Sequence, residues 1–119
     1  MKMKRPSYGE IDQKLKQARE AAARNQISIV NPMSFAVDAL GLDFSVEDIA
    51  NILIDILEEI TAKNYVGQYP PQRSYEDRIL KYELFPFRWN SKMFGCKAYL
   101  KFAVKDGQLW LVSLHEDRG

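Results

Sequence analysis

The only histidine of the chain, His115, closes the stretch Ala98–Asp117, AYLKFAVKDGQLWLVSLHED, which reads as two extended runs around an Asp106-Gly107 turn. Such a dipeptide suits a two-residue loop, or a three-residue loop that ends in a left-handed glycine with a bulge. Side-chain alternation chooses between them. A two-residue loop sets Lys101 opposite Val112 and Tyr99 opposite Leu114, so both faces are mixed. A three-residue loop, Lys105-Asp106-Gly107, sets Phe102 opposite Trp110, Leu100 opposite Val112 and Ala98 opposite Leu114, which makes one face wholly apolar. The longer loop is the expected one. The opposite face then gathers Lys97, Tyr99, Lys101, Ser113 and His115. Two cations, a phenol, a hydroxyl and an imidazole are groups that hold a phosphodiester and move protons around it. They carry no metal-ligand spacing, and no cofactor is expected.

Each of these residues also has an ordinary structural reading. A strand lysine such as Lys63 usually faces solvent, Tyr99 suits a half-buried sheet aromatic with a wet hydroxyl, and His115 sits in a run of charges near the end of the chain. They gain meaning as a set. Arg88 and Trp89, in FPFRWNSK, fit a pair that binds phosphate and stacks on a base, while Trp89 with Phe85, Phe87 and Phe94 equally fits a minor core; both readings stand open. Cys96 has no second cysteine and no histidine near it in sequence, so redox or nucleophilic work is not expected of it.

The elements that must position these groups fall into two halves. Ser7-x-x-Glu10 reads as a capping box, and Ile11, Leu15, Ala18 and Ala22 make a narrow apolar stripe on a helix running to about Arg24. Its other face, mainly Lys14, Lys16, Arg19, Glu20 and Arg24, reads as solvated. Asn31 before Pro32 caps a short second helix that Gly41 stops. Ser45 caps a third, with Phe44 and Ile49 as a hydrophobic staple and Ile49, Ile52, Leu53, Ile56, Leu57 and Ile60 as its core stripe. Beyond about Glu59 the period changes. ITAKNYV reads as a strand, with Ile60, Ala62 and Val66 alternating against Thr61, Lys63 and Tyr65. Pro70 and Pro71 break it. Tyr75–Leu80 suits either a turn of helix or an edge segment, Lys81–Phe85 suits another strand limited by Pro86, and Asn90–Gly95 reads as loop. The expected fold is α+β, with N-terminal helices on one face of a small antiparallel sheet whose other face is partly open.

Length and composition bound the rest. The 119 residues suit one domain over 1–119 with a real core. One cysteine gives no intramolecular disulfide, and no apolar run approaches the roughly 18 residues of a membrane span, so a reducing cytoplasm and no membrane partner are expected. The start, Met1-Lys2-Met3-Lys4-Arg5, leads into charged helix rather than an apolar stretch, which does not suit a signal peptide. A formal net charge of +1 argues against a general nucleic-acid coat, so any basic site has to be local.

Three blocks resemble the MqsR (motility quorum-sensing regulator) toxins, a family of the RelE-like endoribonuclease group. They are ALGLDF at Ala39–Phe44 with the capped helix containing Ile49-Ala50-Asn51-Ile52-Leu53, then TAKNY at Thr61–Tyr65, then YLKFAV at Tyr99–Val104 with LVSLHED at Leu111–Asp117. They follow the family's order and cover most of the chain from Ala39 onward, while the first helix fits more loosely. The resemblance implies a RelE-like fold, mRNA as substrate, a cognate antitoxin as partner, and metal-independent cleavage in which the RNA 2′-hydroxyl attacks its own phosphorus. The family's lysine on the first strand carries over to Lys63, and the tyrosine beginning the YLK block to Tyr99. The family's last catalytic lysine falls at His115, a departure that can preserve function, since a reference pKa of about 6.5 suits a general acid near neutrality. The family's glutamine has no clear equivalent. The nearest placement is Tyr82, beside Glu83.

On that reading Lys63 stabilises the pentavalent phosphate, Tyr99 orients or deprotonates the attacking hydroxyl, and His115 protonates the leaving 5′-oxygen. Arg88, Lys97 and Lys101 hold the RNA backbone. The alternative is a non-catalytic module that uses the open sheet to bind RNA or another protein. A helix-turn-helix regulator fits less well, because the third helix is too apolar for a recognition face.

Overall fold

The first helix forms where its apolar spacing requires: α1 spans Tyr8–Ala23 and buries Ile11, Leu15, Ala18, Ala21 and Ala22. The computed structural model describes residues 8–117, so Ser7 of the expected capping box lies outside the described residues. A short strand, β1 (Ile27–Ile29), leads into α2 (Pro32–Gly41). There the Asn31 side chain accepts from the Ser34 amide at 3.3 Å, with Pro32 opening the helix as its fixed φ favours. Gly41 stays inside α2, and the reversal comes at Asp43, whose φ is +60°. The Ser45 hydroxyl accepts from the Glu47 amide ahead of a 3-10 turn (Val46–Asp48) that runs into α3 (Ile49–Glu59). Ile52, Leu53, Ile56 and Leu57 of α3 are buried, with Ile60 just beyond it.

Helices α1 and α3 pack together, and Arg19 fixes how. Its guanidinium donates to the Leu57 carbonyl at 3.1 and 2.9 Å and to the Ile60 carbonyl at 3.0 Å. Those carbonyls belong to the end of α3, where no intrahelical partner remains, and a cation there also opposes the helix dipole. Arg19 is thus not part of a solvated face.

The expected strand over ITAKNYV does not form. Asn64 competes with it: its side-chain oxygen accepts from the Thr61 amide at 2.9 Å and closes a 3-10 turn over Ala62–Asn64. Pairing with the sheet is confined to the end of this segment, where Tyr65 makes an isolated bridge to Phe87 and the Val66 amide donates to the Pro86 carbonyl at 3.0 Å. Lys63 is therefore an exposed residue on a turn.

The sheet has the order β1-β4-β3-β2, with β2 Phe85–Ser91, β3 Cys96–Lys105 and β4 Gln108–Glu116. It is mixed rather than wholly antiparallel, because β1 pairs parallel to β4. Strand β2 starts where the sequence suggested a strand would end and runs through Pro86 to Ser91, so Asn90 and Ser91 are strand, not loop. Proline is tolerated because β2 is an edge strand of the sheet.

The hairpin corrects the expected register. Lys105 pairs with Gln108 across a two-residue Asp106-Gly107 loop, with φ of +53° and +79° at the two loop residues. A bulge between Lys101 and Phe102 then shifts the pairing, so that Phe102 faces Leu111 while Lys101 faces Ser113. The extra residue on β4 restores the phase that a two-residue loop alone would have mixed. Leu111 and Leu114 turn inward, and Trp110 and Val112 do not join Phe102 as expected.

The inner face carries Phe85, Phe87, Trp89, Ala98, Leu100, Phe102, Leu109, Leu111 and Leu114 against α1 and α3. Phe87 and Phe102 stack at its centre with ring centroids 5.6 Å apart, and removing either ring would cost about 3–5 kcal/mol. The outer face is half covered. Residues 66–84 cross it, folded back on themselves by the Leu84 amide to the Gln72 carbonyl at 2.8 Å and the Ser74 amide to the Tyr82 carbonyl at 2.9 Å, and tied to the strands by the Val66 amide to the Pro86 carbonyl at 3.0 Å and the Arg78 guanidinium to the Ile29 carbonyl at 3.2 Å. Ile79 and Leu84 thereby join Val30 and Ala103 in a second cluster, with Tyr82, Trp110 and Val112 packed around it. Among the described residues no helix is long and apolar enough to cross a membrane.

Candidate functional site

Beyond that covered half, the outer face of the sheet is open, and strand pairing sets its side chains in transverse rows. Arg88 pairs with Tyr99 and Tyr99 with His115, so guanidinium, phenol and imidazole lie side by side across β2, β3 and β4. The Tyr99 and His115 rings stack at 5.2 Å between centroids, and the Arg88 guanidinium lies 5.9 Å from the Tyr99 ring centroid. On one side of this row, Asn90 pairs with Lys97. On the other, Lys101 pairs with Ser113. The structure thus brings together Arg88, Lys97, Tyr99, Lys101 and His115 on one face.

The bonding of the row restricts what each group can do. His115 Nδ1 lies 2.8 Å from the Glu116 carbonyl oxygen. A carbonyl only accepts, so Nδ1 carries the hydrogen and Nε2 is the nitrogen that can exchange a proton with a substrate. Burial pushes the Tyr99 phenol above its ordinary value, Arg88 opposes the shift and Asp117 adds to it. The hydroxyl therefore stays protonated near neutrality and acts as a donor rather than a base. Arg88 Nε lies 2.9 Å from Asp117 Oδ2, so its charge is partly matched before any ligand arrives. Asp117 is a member of the site that the sequence reading did not assign, although it closes the same LVSLHED block.

Tyr99 and Lys101 also line a small cleft of about 170 Å³ beneath the crossing segment, with Gly67, Gln68 and Gln72 on its other wall. Gly67 is required there: a Cβ would lie 2.6 Å from Tyr65 Cζ and 2.8 Å from Pro86 Cδ. The Tyr65 hydroxyl donates to the Gln68 carbonyl at 2.7 Å, which fixes the loop rim.

Two expected members lie elsewhere. Lys63 lies on the 3-10 turn just before Tyr65, which bridges to the outer edge of β2, so β2 stands between its segment and Tyr99 on β3. Tyr82 packs edge-on against Trp110, with ring centroids 6.4 Å apart, in the covered half of the face. Five residues of β3 separate Tyr99 from the level of Val104, where Tyr82 lines a different pocket, a run of about 17 Å.

Trp89 resolves the open choice at FPFRWNSK. It is buried on the inner face and its indole N–H donates to Glu59 Oε1 at 2.8 Å, while Arg88 projects to the outer face. Glu59 also accepts from the Ser91 hydroxyl at 2.8 Å and the Met93 amide at 2.9 Å. It ties the end of α3 to the β2–β3 turn behind the row. Burial alone would raise its carboxyl, but the bonds from Trp89, Ser91 and the backbone of Met93 and Lys92 outweigh that and hold it below the ordinary value. Cys96 is pushed up, by burial and then by Glu116, and so has no thiolate character near neutrality.

Among the described residues no group of three or more His, Cys, Asp or Glu is placed to hold a metal ion. No protein-family model and no curated protein matches the chain.

Proposed function

We propose that this chain is a RelE-like endoribonuclease resembling the MqsR toxins, the toxin half of a toxin–antitoxin pair that cleaves mRNA in the cytoplasm and is held in check by a cognate antitoxin. The observation that supports this most is the row Arg88, Tyr99, His115 on an open sheet face, with Lys97 and Lys101 on either side of it. It offers an imidazole that can donate a proton, a second donor that stays protonated, and cations for phosphate.

In this reading the RNA 2′-hydroxyl attacks the adjacent phosphorus, the bond to the 5′-oxygen breaks, and the 2′-proton passes to solvent. Protonated His115 delivers a proton to the departing 5′-oxygen through Nε2. Tyr99 donates to the phosphoryl oxygen and orients it, and Lys101, which shares the cleft with Tyr99, offsets the charge of the pentavalent phosphate. Arg88 and Lys97 hold flanking phosphates. Lys63 approaches from the β2 edge and contacts backbone rather than the reacting centre, and Tyr82 takes no part in the proton transfers. The nucleophile is internal to the substrate, so no metal is needed to generate it.

A second reading is favoured by the way the row satisfies itself, with Tyr99 stacked on His115 and Arg88 paired with Asp117: a binding platform for single-stranded RNA without cleavage. One experiment separates the two. Purified protein is incubated with single-stranded RNA in EDTA, and the termini are identified. Products ending in 2′,3′-cyclic phosphate and 5′-hydroxyl support the endoribonuclease. Intact RNA that remains bound supports the platform.

A further inference from the structure

The crossing segment 66–84 does more than cover half the sheet, because the clefts along its two sides share lining residues. Tyr99 and Lys101 line the first cleft. Lys101 and Arg73 line the second, together with Gln72, Val112 and one carboxylate, Glu76. Arg73 lines the third, a pocket of about 370 Å³ at the hairpin end of the sheet, where it meets Lys14 of α1, Lys81 of the crossing segment and Lys105 of β3. A chain of cations thus leads from the Tyr99 and His115 row to a pocket about 17 Å along β3.

Two features mark this pocket as more than solvated surface. Among the described residues, none of its four cations lies within ion-pair distance of a described carboxylate. Lys14 and Lys105 instead rest over the rings of Phe85 and Tyr82, 5.5 and 5.4 Å from the centroids. Second, Lys81 is held at φ +68°, a left-handed conformation that lysine disfavours, by its amide bond to the Ser74 carbonyl at 2.8 Å. One carboxylate, Glu83, lines the pocket and leaves it strongly positive. The charge is also segregated along the chain: residues 25–62 hold seven acidic residues and no lysine or arginine, so the positive charge falls outside that stretch, on the strands above all, while the crossing segment balances Arg73, Arg78 and Lys81 against Glu76, Asp77 and Glu83.

We infer that the cleft joining Tyr99 and Lys101 through Arg73 to the Lys14, Lys81 and Lys105 pocket is a track for the backbone of single-stranded RNA, with the pocket seating phosphates several nucleotides from the bond at the row. This rests on the endoribonuclease reading for the row and adds the path of the substrate. A stretch of about 17 Å needs a ligand of roughly four nucleotides or more, the lower end for single-strand binding modules. It predicts a protein whose affinity grows with RNA length beyond the cleaved bond.

The test uses full-length protein and 2′-O-methyl oligonucleotides, which bind but lack the attacking hydroxyl, so binding is read apart from cleavage. Fluorescence anisotropy with a 3-mer and a 10-mer compares wild type with Lys81→Gly, which keeps the left-handed backbone, and with Lys81→Gly/Lys105→Gln. The 10-mer should bind the double variant about tenfold more weakly at low salt, with the salt slope reduced by about two, as expected for two lost phosphate contacts. The 3-mer should bind all three proteins alike, and kcat on saturating cleavable RNA should not change. Unaltered 10-mer affinity and salt slope would overturn the track, as would a ten-residue polyglutamate peptide that binds wild type as tightly as the 10-mer, since the pocket would then be a site for acidic protein. If the endoribonuclease reading fails instead, cleavage is absent in every protein while the length dependence of 10-mer binding persists.

Discussion

Tyr99 and His115 stand opposite each other in the β3–β4 register and stack with their ring centroids 5.2 Å apart and planes 23° from parallel. That pairing exists only because a bulge at Lys101/Phe102 moves β4 by one residue relative to the turn. Without the shift Tyr99 would face Leu114.

His115→Ala should therefore lower kcat by roughly 10²–10⁴, the scale of losing a positioned acid, with little change in RNA affinity. His115→Lys restores the residue of the resembled family and should keep part of the activity with its pH optimum moved upward. Single-turnover rates across about pH 6 to 9 check this, and an alanine variant with undiminished turnover over that window removes His115 from the chemistry.

Burial raises the Tyr99 phenol above its ordinary value, so in the proposed mechanism the phenol, not the phenolate, is the working species. Tyr99→Phe should reduce kcat by about tenfold or more through loss of one donor to the phosphoryl oxygen. The shape of the pH profile should be unchanged. A profile that loses a limb in this variant would show that the phenol titrates in the mechanism after all.

Asp117 holds Arg88 at 2.9 Å, and in the proposed reading it competes with phosphate for it. Asp117→Asn should tighten RNA binding a few-fold and steepen its salt dependence by about one unit of slope, as one more cation becomes free for phosphate. Binding isotherms at several salt concentrations measure both. Weaker binding would mean that Asp117 orients Arg88 for the ligand instead.

Glu59 supports the site from behind. Glu59→Ala leaves the Trp89 N–H and the buried Ser91 hydroxyl without their acceptor and should cost about 2–4 kcal/mol of stability in denaturant titration. Its carboxyl is held below its ordinary 4.5, so the contribution is fully present above that value and is lost as pH falls through the folded value. Wild type should lose Tm on acidification below about pH 4.5 more steeply than Glu59→Gln. Parallel curves would contradict the depressed carboxyl.

Much of the positioning was legible in local pattern. The stripe of Ile11, Leu15, Ala18 and Ala22 gave α1, Asn31-Pro32 and Ser45 marked the next two helix starts, and alternation from Lys97 through YLKFAV placed Lys97, Tyr99 and Lys101 on one face. These signals are readable because each depends on neighbours within about one turn or one strand. The strand expected over ITAKNYV failed for a reason equally local, yet hidden in the pattern: Asn64 offers the backbone a turn in place of a ladder.

By itself, then, the sequence determined the α+β class, the helical core stripes and which β3 residues share a face, because these follow from periodicity and caps. Only the tertiary structure decided the partners. Arg19 finds the end of α3 at Leu57 and Ile60, Glu59 finds Trp89 and Ser91, β1 joins β4 in parallel, and the segment 66–84 crosses the sheet to bring Arg73 and Lys81 beside Lys14 and Lys105. Each of these joins residues far apart in the chain. The bulge belongs with them, since it is the demand of the core for Leu111 and Leu114, not the turn alone, that sets Tyr99 against His115.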